Sequence, residues 1–160
     1  MFARCRCRPS LPKRNIMQLN DDFIITEAIR LVNEGREVIF PVKGNSMLPF
    51  IIGGSESAVF APVTNIHKGG VYLAHVDDGR YVVHRVIGIS GNRITLMGDG
   101  NLVGREYCTT DGIKAEINYI ISAKGIKRCL NTFPRRLAAL IWRILRPVRR
   151  WLLGVYRRIH

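Results

Sequence analysis

Apolar residues recur along the chain with two different periods, and the change of period divides it. Between residues 20 and 35, Ile24, Ala28, Leu31 and Val32 fall at i, i+4, i+7 and i+8, which is one face of a helix. Asn20 or Asp21 can accept hydrogen bonds from the first free amides, and Gly35 can close the last turn. The spacing therefore predicts a packing helix over 20–35, within an N-terminal helical unit at 17–36. From residue 37 to 124 the helical period is absent. Six short stretches rich in Val, Ile, Phe and Tyr replace it, at 37–42, 57–61, 71–76, 81–89, 93–97 and 115–122, with Gly and Asp turn signals between them. Residues 71–87 read as a hairpin folded at Asp78-Gly79. With no helical pattern between strands, a doubly wound α/β sheet is disfavoured, and a mainly β domain over 37–128 is expected.

The helical period returns at 134–159. Leu137, Leu140, Ile141, Ile144, Leu145, Val148, Trp151, Leu152, Val155 and Ile159 keep one face, while Arg136, Arg143, Arg146, Arg150 and Arg157 keep the other. The apolar period stays in phase through Pro147, so a bent helix or two aligned ones are expected in the segment 129–160. At the opposite end, residues 1–16 alternate Arg and Cys, hold two prolines and show no period. They read as a disordered basic extension, with Met17 a candidate start. Cys5 and Cys7 supply two metal ligands, too few for a site.

Composition changes this picture in one respect. The 160 residues are 47% hydrophobic, which is ordinary for a globular domain, and their net charge is +13. That charge is confined to the ends. Residues 1–16 hold five bases and no acid, and residues 117–160 hold eleven bases and no acid, while the hundred between hold nine bases and twelve acids. A faintly acidic body thus carries two basic ends, as expected where the ends meet an anionic surface. The longest apolar run is far short of a membrane span. The C-terminal stripe instead suits a helix lying in the interface of an anionic bilayer, with Trp142 and Trp151 near the headgroups and Arg136, Arg143, Arg146, Arg150 and Arg157 toward the lipid charge. The protein body is the second candidate to cover that stripe. Nucleic acid is third, because the stripe is apolar and not interleaved with aromatics. Peripheral membrane association, by default on the cytoplasmic face, is the expectation; oligomeric state is left open.

Candidate chemistry concentrates in the β region. Val42–Phe50 reads Val-Lys-Gly-Asn-Ser-Met-Leu-Pro-Phe, so Ser46 follows a flexible Gly44-Asn45 pair and precedes a stiffening Pro49. A serine on such a turn can present its Oγ with main-chain N–H groups facing an oxyanion. Most such serines are plain turn residues, and a base is needed to say more. His84 lies inside the otherwise apolar strand 81–89, where an imidazole is either hydrogen-bonded or used. Asp99 follows the next strand in Gly98-Asp99-Gly100-Asn101. The order Ser46, His84, Asp99 within one β unit fits a nucleophile, its base and an orienting acid, with Ser46 Oγ in hydrogen-bond reach of His84. His75, on the partner strand of the hairpin, competes for the role of base. No histidine pair has zinc spacing, and Gly98-x-Gly100 has no following helix to make a phosphate loop.

These three boxes, Gly44-Asn45-Ser46-Met47-Leu48-Pro49, His84-Arg85-Val86 and Gly98-Asp99-Gly100-Asn101, resemble the signature boxes of the signal peptidase and SOS-repressor peptidase superfamily. His84 stands where the lysine-dependent branch has its base, so the chain is nearest the Ser-His branch of archaeal, endoplasmic-reticulum and sporulation-type signal peptidases. The resemblance covers roughly 37–124. It implies an all-β catalytic unit, a peptide or protein substrate, and no nucleotide or metal cofactor. Ser46 would be the nucleophile, His84 the base and Asp99 the acid that orients it. The oxyanion would meet the Ser46 N–H, with Gly44 and Asn45 in the turn. Gly44 departs from the hydroxyl residue common at that place. The branch often has a second acid after its third box, where Arg105 and Glu106 stand here, so the identity of the acid is open. A helix-turn-helix domain does not fit within residues 1–36, and the repressor reading is poor. Two functions follow: a Ser-His endopeptidase of signal-peptidase type at a membrane surface, or a catalytically silent peptidase scaffold serving as a membrane- or partner-binding module.

Overall fold

The computed structural model describes residues 16–101, 103–130, 132, 138 and 141–142, and for 16–20 the backbone alone. One helix precedes eight strands: α1 (Ile16–Asn33), β1 (Val38–Pro41), β2 (Ser57–Ala61), β3 (Val71–His75), β4 (Tyr81–Ser90), β5 (Arg93–Met97), β6 (Glu106–Thr109), β7 (Ile113–Ile121) and β8 (Lys127–Cys129). A single 3-10 turn, Thr110–Gly112, links β6 to β7. The fold is mainly β, as expected, and no helix interrupts the strands.

All strand pairs are antiparallel and form one sheet in the order β1-β2-β7-β3-β4-β5-β6, with β8 also on β7. The six expected strands are present. Two more, β6 and β8, are too short and too polar to carry a period. β8 takes the sheet to Cys129, which pairs with Tyr119, and Leu130 beyond it is buried in the core. The 71–87 hairpin forms with Val71 opposite Arg85 and His75 opposite Tyr81. Its turn closes through the Gly79 N–H on the Val76 carbonyl, with Gly79 at φ +82°, a conformation open to glycine.

α1 starts at Ile16, ahead of the expected cap at Asn20 or Asp21. It ends as foreseen at Gly35, where the Arg36 N–H reaches the Leu31 carbonyl and the Gly35 N–H that of Val32. Its buried stripe is rotated from the expected one. Ile25, Ala28, Ile29 and Val32 face the sheet, while Ile24 is 52% exposed. The buried residues fall at i, i+3, i+4 and i+7 and the expected ones at i, i+4, i+7 and i+8; both are helical stripes, and the sheet selects the one that packs with Val71, Leu73 and Ile117.

Alternation along β3 and β4 divides the interior in two. Val71 and Leu73, with Val83 packed against them, join α1, Met47 and Ile51 on one face. Tyr72, Ala74 and Val86 join Ile94, Leu96 and Cys108 on the other, with Val82 packed against them. That division fixes where consecutive residues of β4 send their side chains. Among the described residues, no helix is long and apolar enough to cross a membrane. Of the basic extension 1–16, residues 1–15 lie outside the described residues and Ile16, expected to be disordered, opens α1; most of 134–159 also lies outside them. Of the latter, Ala138, Ile141 and Trp142 are described, and all three are helical.

Candidate active site

The loop between β1 and β2 carries Ser46. Its ends are tied together, since Val42 donates to the Glu56 carbonyl at 3.0 Å and Gly54 to the Val42 carbonyl at 2.8 Å. Gly44 sits at φ +76°, and Gly53 packs so closely on its carbonyl that any side chain at 53 would clash. After Asn45 the chain coils. Leu48 donates to Asn45, and both Phe50 and Ile51 donate to Met47. The Leu48–Pro49 peptide is cis. Met47 and Ile51 are buried in the helix-side core and anchor the coil, which leaves Ser46 half-buried at its start and Asn45 exposed. Neither the Ser46 N–H nor its Oγ has a hydrogen-bond partner among the described residues. An N–H so placed is free for an oxyanion.

Gly98–Asn101, after β5, meets this coil. The Gly100 N–H donates to the Ser46 carbonyl at 2.7 Å. A Cβ on Gly98 would stand 2.4 Å from the Ser46 carbonyl oxygen and 3.0 Å from His84 Nε2. One on Gly100 would stand 2.6 Å from the Asn45 carbonyl. Both glycines are therefore required by close approach, and Gly98 lies between the Ser46 carbonyl and His84 Nε2. No hydrogen bond joins Ser46 Oγ to His84 in this structure, so the expected direct contact is not made. Catalytic hydrogen bonds are often long in a substrate-free site and tighten on binding.

His84 and Arg85 are both 4% exposed and leave β4 toward opposite faces. His84 Nδ1 is hydrogen-bonded to the carboxylate of Glu106. The strand register explains the pairing, because Val86 opposes Leu96, which opposes Glu106. With the proton on Nδ1 donated to Glu106, Nε2 carries the lone pair and lies beside Gly98. Arg85 instead meets Asp99. Its Nε and Nη2 contact both carboxylate oxygens at 2.7–3.1 Å, its Nη1 donates to the Gly69 carbonyl at 2.5 Å, and its guanidinium lies 5.6 Å from the Phe50 ring centre. Asp99, expected to orient the base, is thus held by Arg85 on the other face. The acid on His84 is Glu106, one of the two residues left open after the third box. Arg105 is exposed in the preceding loop. His75, the rival base, is exposed three residues along the ladder from His84, with its ring against Tyr81 at 4.9 Å.

Trp142, expected at a lipid surface, is placed differently. It is half-buried, and its indole N–H donates to the main-chain carbonyl of Asp99 at 2.9 Å. Arg136, Arg143, Arg146, Arg150, Trp151 and Arg157 lie outside the described residues. Among the described residues, no group of His, Cys, Asp and Glu side chains could hold a metal ion.

The model of a protein family described as Peptidase S24-like matches residues 8–118, which include all three boxes and Glu106. No curated protein and no solved structure matches the chain.

Proposed function

Since the chain belongs to the Peptidase S24-like family, we propose that it is a serine endopeptidase of the Ser-His type, with Ser46 as nucleophile, His84 as base and Glu106 as the acid that orients the base. The observation that carries this reading is the arrangement of His84, with Nδ1 on a carboxylate and Nε2 beside the coil of Ser46. Ser46 Oγ would form a bond to the scissile carbonyl carbon while its proton passes to Nε2. The carbonyl oxygen, now negative, would accept from the Ser46 N–H. Nε2 would return the proton to the leaving amine as the C–N bond breaks, and a water would release the acyl group by the reverse sequence. Glu106 keeps the imidazole in the tautomer this needs and stabilises the imidazolium that forms.

An acylating penem tests the reading on the intact protein. Its lactam ring opens on the serine oxygen, so the whole probe mass stays attached. One adduct on the wild type, mapped to Ser46 and lost in Ser46→Ala, is expected. An unlabelled wild type would favour the silent scaffold.

We further propose that the segment beyond Trp142 seats the enzyme on an anionic bilayer. Support comes from its apolar face and opposed arginines, since each basic residue near such a surface contributes about 1 kcal/mol. The full chain should sediment with phosphatidylserine vesicles at low salt and less so at high salt, where charges are screened. A protein that stays in the supernatant at low salt would end that proposal.

A further inference from the structure

Trp142 comes from the far end of the chain, yet it touches the peptide that holds the nucleophile. Two hydrogen bonds share a single peptide unit, that between Asp99 and Gly100. Its carbonyl accepts the Trp142 indole N–H at 2.9 Å, and its N–H donates to the Ser46 carbonyl at 2.7 Å. Bonds at the two ends of one amide polarise it in the same sense, and each strengthens the other. The same unit is fixed from the side, because the Asp99 carboxylate is clamped by buried Arg85. The peptide cannot tilt away from Ser46 without breaking the Trp142 contact.

We infer that Trp142 is a positioning residue for Ser46, acting through the Asp99–Gly100 peptide. The inference rests on the peptidase reading above. The Ser46 carbonyl is part of the coil that sets both the Oγ direction and the free N–H, and small displacements of such groups cost rate far more than binding. The indole N–H donates to a main-chain carbonyl and not to a reacting atom. Its removal should therefore slow acylation while leaving probe affinity and the dependence on imidazole protonation as they were. Trp142 thereby joins the peptide that holds Ser46.

The test compares the full-length wild type with Trp142→Phe, and with a protein carrying 3-benzothienylalanine at position 142. The latter keeps the two-ring shape and lacks the N–H, so it guards against a phenylalanine variant that fails to fold. Penem acylation is followed over a range of probe concentrations to separate kinact from KI, and amide exchange of Gly100 is read by mass spectrometry or NMR. Loss of the donor should lower kinact about three- to tenfold, the scale of one neutral hydrogen bond. KI and the pH midpoint of kinact should be unchanged, the melting temperature should fall by no more than one lost hydrogen bond accounts for, and Gly100 exchange should be faster. A reactive wild type whose kinact and Gly100 exchange are both unaltered in the benzothienyl protein overturns the inference alone. A wild-type Ser46 that never reacts overturns the peptidase reading and takes the positioning role with it.

Discussion

Two consecutive residues of β4 make two acid–base pairs with opposite characters. His84 meets Glu106 near the mouth of the site, and Glu106 keeps some contact with solvent. Arg85 meets Asp99 in the interior, where both side chains are almost wholly buried. The first pair orients a proton carrier and leaves its second nitrogen open. The second saturates a guanidinium with a carboxylate, a carbonyl and an aromatic face, and so fixes the turn that carries Gly98 and Gly100. One strand thus delivers chemistry to one face and rigidity to the other. Perturbing the Glu106 side should damage rate and spare stability, and perturbing the Asp99 side should lower stability first and touch rate only through the peptide that holds Ser46.

The largest effect is expected at Ser46 and His84, the proposed nucleophile and base. Ser46→Ala and His84→Ala should each lower the peptidase rate by about ten-thousandfold or more, and nearly equally, because the two act as a unit. Residual activity in His84→Ala well above that in Ser46→Ala would assign proton transfer to another group and dissolve the contrast. An imidazole must also be neutral to accept the serine proton, so wild-type activity should fall on acidification. A rate that rises as the medium is made acid would argue against His84.

Glu106→Gln is the next test. The amide cannot offset an imidazolium and can hold the ring in the wrong tautomer. The rate should drop by about a hundred- to ten-thousandfold, with a change in unfolding free energy within about 1 kcal/mol. If Glu106→Gln were as active as the wild type while Asp99→Asn were dead, the roles of the two acids would be reversed. On the other side, Asp99→Ala leaves Arg85 charged and buried with no carboxylate. Breaking such a pair costs about 3–5 kcal/mol, readable as a lower denaturant midpoint at unchanged slope. A stability loss below about 1 kcal/mol would mean the pair is not the brace described here.

A turn around Ser46 and a strand around His84 were legible in the sequence, because turn chemistry and strand alternation are local properties. The acid is not local. Asp99 and Glu106 both follow β5 closely, and only the register β4-β5-β6, with Val86 opposite Leu96 and Leu96 opposite Glu106, decides which of them reaches His84. β6 itself was illegible, since Glu-Tyr-Cys-Thr is too short for a period and follows a glycine-rich stretch. The same holds for β8, whose Lys-Arg-Cys reads as charge. Alternation did contain one unused signal: His84 and Arg85 are neighbours, so two acids on opposite faces are needed to satisfy both. The sequence pattern put Trp142 in the amphipathic C-terminal stretch, but its hydrogen bond to Asp99 depends on a long-range approach that no local pattern encodes.

The smallest effect is expected on β6, the strand that carries Glu106. β6 is the edge strand of the sheet, and Cys108, two residues on, points with Glu106 toward the same face, where its thiol is packed among Ile94 and Leu96. Burial, with a lesser push from the Asp77 carboxylate, raises the Cys108 thiol from 9.0 to about 11. Below pH 9.0 the thiol is neutral whether the chain is folded or unfolded, and its packing contribution is present in full. Between 9.0 and about 11 the unfolded chain releases the proton while the folded chain retains it. Stability therefore falls as pH rises through that window. Cys108→Ala cannot lose a proton there. Urea unfolding at pH 8, 9, 10 and 11 should show a shallower alkaline decline for the variant than for the wild type, against a common background from tyrosines and lysines. Parallel declines would show that the thiol ionises as freely folded as unfolded and that its packing on Ile94 and Leu96 does not shield it.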